Sequence, residues 1–234
     1  MLSVKHVSTF YGKMQALWDV SLDIGEAEVV ALIGGNGAGK TTLLKTITGV
    51  VAPRSGEITF LGQRIEKSKS HAIVNLGISL IPEGRKLFGQ MSVLENLEMG
   101  AYCTRAWSQR WGTLEEVFEL LPILRMRQDQ ISSTMSGGEQ QMVAMGRGLM
   151  SKPKLCLIDE PSSGLGPLVV EDVFQMIKKL RTQGISVFLI EQNVGQTLEI
   201  ADRGYVMENG RILLEGPSEE LMRNDQIRKA YLGL

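Results

Sequence analysis

Apolar residues in this chain fall into short unbroken runs and into stretches at helical spacing. The run Glu28-Val29-Val30-Ala31-Leu32-Ile33 is short and continuous, as expected of a strand buried on both faces. Leu155-Cys156-Leu157-Ile158 and residues 185–190 repeat that pattern. Between those two runs, Val170, Val173, Phe174, Ile177 and Leu180 recur at the spacing of an amphipathic helix. Strand, helix, strand predicts a parallel α/β sheet. Elsewhere the pattern changes. Val20, Leu22 and Ile24 alternate with Asp19, Ser21 and Asp23, so this segment reads as a half-buried strand. Residues 55–61 give another strand after a turn at Pro53, and the two predict a small antiparallel layer near the N-terminus. Asn209-Gly210, between Tyr205-Val206-Met207 and Ile212-Leu213-Leu214, predicts a hairpin.

From Gly84 to about Met150 the helical spacing dominates. Leu114, Val117, Phe118 and Leu121 mark one helix, and residues 140–150 another. The chain therefore reads as a single unit. An α/β core with its β subdomain occupies residues 1–83 and 151–234, and a helical insertion occupies 84–150. Neither an internal repeat nor a low-complexity linker interrupts it.

A length of 234 residues allows one sizeable core and a lobe. The net charge of −1 argues against a nucleic-acid partner, which usually calls for a basic excess. No apolar run reaches membrane-spanning length and no secretory signal opens the chain, so a cytosolic location is expected and any membrane role must run through partners. The two cysteines, Cys103 and Cys156, form no framework; both read as free thiols, with Cys156 buried in its apolar run.

The chemistry begins at Gly34-Gly35-Asn36-Gly37-Ala38-Gly39-Lys40-Thr41-Thr42, which fits G-x-x-x-x-G-K-[ST]. Backbone amides of such a turn form a nest for phosphate oxygens. Lys40 adds a cation for the β- and γ-phosphates, and the Thr41 hydroxyl is a hard oxygen suited to Mg²⁺. A buried strand precedes the loop. A short helix over residues 40–48 follows it, with Gly49 in the stop position.

Two further segments extend the site. Asp159 and Glu160 end the apolar run at 155–158, and ligands of open α/β sheets bind off the carboxyl ends of strands. Asp159 is placed to hold Mg²⁺, and Glu160 to orient or deprotonate a water. Met135-Ser136-Gly137-Gly138-Glu139-Gln140-Gln141 opens a helix, with Ser136 as N-cap and Glu139 completing a capping box. The two glycines expose amides at a second anion-binding helix end, which is simplest to explain as serving a nucleotide on another subunit.

In this order and spacing, residues 34–41, 136–140 and 155–161 resemble the ATP-binding domain of an ABC transporter over essentially the whole chain. The resemblance implies a P-loop NTPase (RecA-like) core with an N-terminal antiparallel β subdomain and a helical signature subdomain. It implies ATP and Mg²⁺ as ligands, and a head-to-tail dimer with ATP between the phosphate loop of one subunit and Ser136, Gly137, Gly138 and Glu139 of the other. By the same resemblance Tyr11 stacks on adenine, and Ser162-Ser163-Gly164-Leu165-Gly166 faces the opposite subunit, with Gly166 where Asp is common.

Two departures stand out. The family's usual Gln at the junction with the helical lobe is Glu83, which can still ligate Mg²⁺ but adds negative charge. The usual His after the next core strand is Gln192, a neutral donor that cannot become cationic. With the closing run at 228–233, these departures resemble the LivF-like subunits of the branched-chain amino acid importer family. That resemblance implies two membrane permease subunits and a second ABC ATPase (LivG-like), or a second copy of this chain. It also implies a binding protein acting indirectly, and a peripheral position on the cytoplasmic face of the inner membrane. A urea or amide importer and a poorly hydrolytic regulatory subunit remain open as alternatives. Leu87, Phe88 and Met91 fit either a permease-contacting surface or the core of the lobe. Trp107 and Trp111, one helical turn apart beside Arg105 and Arg110, leave a partner surface open, with packing against the lobe the expected arrangement.

Overall fold

The computed structural model describes residues 1–229, so residues 230–233 of the closing run lie outside the described residues. In chain order the elements begin with β1 (Leu2–Tyr11), β2 (Met14–Ile24), β3 (Val29–Ile33), α1 (Lys40–Ile47), β4 (Ser55–Phe60), β5 (Gln63–Arg64), α2 (Ser70–Leu76) and β6 (Ile78–Ile81). The helical stretch follows as α3 (Val93–Gly100), α4 (Thr104–Trp107), α5 (Arg110–Leu120), α6 (Pro122–Met126) and α7 (Gly137–Leu149). The chain then runs through β7 (Leu155–Asp159), α8 (Pro167–Thr182), β8 (Ser186–Glu191), α9 (Val194–Ile200), β9 (Arg203–Glu208), β10 (Arg211–Pro217), α10 (Ser218–Arg223) and α11 (Asp225–Ile227).

The strands form two sheets. The alternating segments pair antiparallel in the order β2-β1-β4-β5, and the continuous apolar runs build a six-stranded sheet ordered β10-β9-β3-β8-β7-β6. Pairs from β9 through β3, β8, β7 and β6 are parallel, with β10 added antiparallel through the Asn209-Gly210 turn. Both turn residues have positive φ, 49° and 75°, as the tight hairpin requires.

The apolar runs are continuous because both faces of the large sheet are covered. Val29, Ala31 and Ile33 of β3 join the core on the helical side, and Val30 and Leu32 join the core beneath the antiparallel sheet and α1. Strand β7 divides the same way, with Cys156 and Ile158 on one side and Leu155 and Leu157 on the other. Helix α8 buries Val170, Val173, Phe174, Ile177 and Leu180, and it starts from Pro167 at its first position.

The aromatic pair departs from expectation. Trp107 and Trp111 are exposed, with the Arg110 guanidinium 4.1 and 4.9 Å from their rings. Helix α4 ends at Trp107 and α5 begins at Arg110, so the break at Ser108-Gln109 separates the two from any common helical face. Helix α5 instead buries Thr113, Leu114, Val117 and Phe118. The segment after Glu83 divides between its two readings: Leu87 packs against the core, whereas Phe88 is exposed under the Arg147 guanidinium.

Candidate active site

Strand order brings the chemistry together. Strand β8 lies between β3 and β7, so the loops leaving all three open at the same carboxyl edge. They meet in a cavity of about 870 Å³ lined by Asn36, Gly37, Ala38 and Gly39 from the loop after β3 and by Lys40, Thr41 and Thr42 from the first turn of α1. Glu160 follows β7, Gln192 follows β8 and Glu83 follows β6; Tyr11 joins them from the tip of the β1–β2 hairpin.

Lysine 40 is buried and already engaged. Its Nζ donates to the Gly34 and Gly35 carbonyls at 2.7 and 3.2 Å and lies 3.4 Å from Glu160 Oε1. The other Glu160 oxygen, Oε2, accepts the Gln192 side-chain amide at 2.6 Å. Glu160 itself sits at φ 47°, an unusual backbone for a non-glycine residue and one often held at functional sites.

Asp159 is only 4% exposed. Its Oδ2 accepts the Thr41 hydroxyl at 3.2 Å, while its Oδ1 is buried with no hydrogen-bond partner. Burial pushes its carboxyl up to about 6; the Thr41 hydroxyl opposes this, Glu160 and Glu83 add to it, and Lys40 opposes it again. An orphaned carboxylate oxygen beside a threonine hydroxyl is the donor set a hard cation needs. Among the described residues no group of three or more His, Cys, Asp or Glu side chains forms a metal cage. That fits Mg²⁺, which typically takes one or two carboxylates and completes its shell with water and substrate phosphates.

The structure does not bring Ser136, Gly137, Gly138 or Glu139 into this cavity. They form the start of α7. Ser136 Oγ accepts the Glu139 amide at 3.4 Å and Glu139 Oε2 accepts the Ser136 amide at 2.9 Å, the reciprocal capping box the sequence predicts. Gly138 has a second reason to be glycine: a Cβ there would lie 2.7 Å from Val169 Cγ1 of α8.

Sequence reasoning missed part of the lining. Met14, Gln15 and Ala16 enter through β2, where Met14 pairs with Tyr11, and Asn209 and Gly210 enter through the β9–β10 turn. The Gly210 amide donates to the Ala38 carbonyl and its carbonyl accepts the Trp18 amide, both at 2.8 Å. The hairpin signal was visible at Asn209-Gly210; its docking on the phosphate loop was not.

The family model described as ABC transporter matches residues 17–163. The high-affinity branched-chain amino acid transport ATP-binding protein BraG of Pseudomonas aeruginosa is 48% identical over 233 residues, covering 100% of both chains. A probable branched-chain amino acid transport ATP-binding protein LivF of Archaeoglobus fulgidus is 33% identical over 100% of this chain and 99% of its own. Among solved structures, an ATP-binding cassette dimer in a post-hydrolysis state bound to ADP and Pi superposes with TM-score 0.80 at 25% identity, over 93% of this chain and 99% of the other. With a family model over most of its length and full-length relatives above 30% identity, this chain belongs to the ABC transporter family and is one of its ATP-hydrolysing, nucleotide-binding cassettes.

Proposed function

We propose that this cassette energises a membrane importer of branched-chain amino acids. The observation that carries the reading is the convergence of Lys40, Thr41, Asp159, Glu160 and Gln192 at one edge of the sheet. The full-length likeness to BraG supports the choice of solute.

In this reading Lys40 and the amides of Gly35, Asn36, Gly37, Ala38, Gly39, Thr41 and Thr42 hold the ATP phosphates. Tyr11, exposed at the hairpin tip, stacks on adenine. Thr41 and Asp159 would hold Mg²⁺, with Glu83, which lines the same cavity, as a further oxygen ligand. When bound, the ion would supply positive charge to offset the negative charge that develops on the phosphates. Glu160 accepts a proton from the water that attacks the γ-phosphate, and the β–γ bridge bond breaks to give ADP and phosphate. Gln192 fixes one Glu160 oxygen and Lys40 the other, so the carboxylate is oriented before nucleotide arrives. Nucleotide entry offers Lys40 phosphate oxygens in place of the Gly34 and Gly35 carbonyls.

Ser136, Gly137, Gly138 and Glu139 serve the nucleotide of a second ATPase, LivG-like or a second copy of this chain, in a head-to-tail dimer. Residues 84–150 act as the lobe that carries this end, and residues 1–83 with 151–234 as the core. Two permease subunits engage a groove of about 430 Å³ lined by Val50, Phe88, Met99 and Arg147. No helix of the described residues is long and apolar enough to cross a membrane. In this reading the chain sits at the cytoplasmic face of the inner membrane through the permeases, and a binding protein acts through them in turn. No nucleic acid takes part.

The test is uptake of labelled leucine, isoleucine and valine by cells carrying the wild-type chain or Glu160→Gln. Loss of all three with the variant supports the reading. Undiminished uptake of these solutes, with loss of urea or short-amide uptake instead, would move the cassette to a different importer.

A further inference from the structure

Glu191, the last residue of β8, is a buried carboxylate that the mechanism above does not use. It is 2% exposed, and no cation figures among the groups that influence its ionisation. Burying such a group costs free energy unless hydrogen bonds replace its water. Three donors do so. The Ser162 amide reaches Oε1 at 2.9 Å, the Ser162 hydroxyl reaches Oε2 at 2.9 Å, and the Gln192 amide reaches Oε2 at 3.2 Å. Burial still raises its carboxyl above the ordinary range.

The partners are more informative than the cost. Ser162 lies two residues after Glu160, and Gln192 is the residue whose side chain holds Glu160. On the other flank, the Glu160 amide donates to the Ile190 carbonyl at 2.9 Å. The end of β8 thus grips the turn after β7 on both sides of Glu160, through Ile190 behind it and Glu191 ahead of it. Glu160 needs such a grip because its backbone sits at φ 47°, a conformation that relaxes unless its flanks are fixed.

We infer that Glu191 is a positioning residue for ATP hydrolysis: its bidentate hold on Ser162 and its bond to the Gln192 amide set Glu160 and the start of the 162–166 loop. Glu191 is not among the residues lining the cavity, and it acts through Ser162 and Gln192. The inference rests on the reading of Glu160 as the group that activates water.

The experiment uses the full-length chain with four variants: Glu191→Gln, Ser162→Ala, Ser162→Thr and Glu160→Gln. ATP turnover, equilibrium ATP binding and thermal midpoint are measured for each. Glu191→Gln keeps the shape and one acceptor oxygen, so the fold survives and only the grip weakens. Turnover number is expected to fall about tenfold, the cost of losing a hydrogen bond to a charged group, with ATP affinity changed less than about threefold. Ser162→Ala should reproduce this loss, Ser162→Thr should retain more turnover than Ser162→Ala, and Glu191→Gln with Ser162→Ala together should cost no more than the larger single effect. The inference is overturned if Glu191→Gln keeps wild-type turnover while Glu160→Gln abolishes it, or if turnover, affinity and thermal midpoint all fall together. Unchanged turnover in Glu160→Gln would remove the underlying reading of the site itself.

Discussion

Gln192 and Lys40 divide the Glu160 carboxylate between them, one on each oxygen, at 2.6 and 3.4 Å. A neutral amide from the end of β8 and a buried cation from the start of α1 thus hold the side chain from both oxygens. Removing the amide should leave nucleotide binding to the phosphate loop and impair only the chemical step. Gln192→Ala is expected to lower turnover by about 10- to 100-fold, as for loss of a hydrogen bond to a charged acceptor. Gln192→Glu should be worse at pH 8, because it sets a second carboxylate against Glu160 at hydrogen-bond distance. Steady-state turnover alongside equilibrium ATP binding checks both, and a parallel loss of binding would contradict this assignment.

Asp159 links the site to pH. Its folded carboxyl titrates near 6, above the ordinary 3.8, so the folded chain binds this proton more tightly than the unfolded chain does. The stabilising contribution is therefore complete below about 3.8 and is lost as pH rises through about 6. At pH 8 without ligand the ionised group costs roughly 3 kcal/mol, which Asp159→Asn should recover as a higher thermal midpoint. At pH 5 that gap between variant and wild type should narrow. Metal binding carries the opposite sign. If Asp159 holds Mg²⁺ as proposed, the ion needs the ionised form, so Mg-ATP affinity should fall as pH drops through about 6 and proton release should accompany binding. Calorimetry in buffers of different ionisation enthalpy measures that release.

Much of this arrangement was legible in the sequence, because phosphate binding requires fixed residue types at fixed spacing on one short segment. Gly34 through Thr42, the Asp159-Glu160 pair and the Ser136–Glu139 capping box are all local patterns, and the βα rhythm of residues 155–190 places the carboxyl edge of the sheet. What the sequence hid was non-local. Nothing in residues 14–16 marks them as lining the nucleotide cavity; they do so because β2 pairs with β1 across a two-residue turn. Glu191 reads as the end of an apolar run until Ser162, 29 residues earlier, closes on it. The tryptophans failed for a related reason: spacing implies a common helical face only if the helix is continuous, and it breaks between Trp107 and Arg110.

The two thiols should differ sharply in reactivity. Cys156 is fully buried in β7, and burial pushes its thiol up to about 12, so almost no thiolate exists at pH 8. Cys103, ahead of α4, is half-buried. Iodoacetamide at pH 8 is therefore expected to modify Cys103 alone in the native chain and both residues in denaturant. Peptide mass analysis distinguishes the sites. Native labelling of Cys156 at a comparable rate would mean that the sheet opens far more readily than its continuous burial implies.

Gly138 tests whether the paired glycines that open α7 serve packing as well as amide exposure. A Cβ at Gly138 would lie 2.7 and 3.1 Å from the two methyl carbons of Val169, the first closer than such contacts occur and the second tight. Valine is held to few χ1 rotamers and cannot swing clear without cost. Gly138→Ala should therefore push the start of α7 away from α8 and cost about 1–3 kcal/mol, the usual range for overpacking. Gly137→Ala meets the guanidinium of Arg85 instead, at 3.1 Å, and a long flexible side chain can withdraw. The expected order is thus a clear fall in thermal midpoint for Gly138→Ala and a small one for Gly137→Ala. Adding Val169→Ala should recover most of the loss at Gly138 and none at Gly137. A Gly138→Ala chain with a wild-type midpoint but impaired turnover would assign this glycine to its exposed amide alone, with no part in seating α7 against α8.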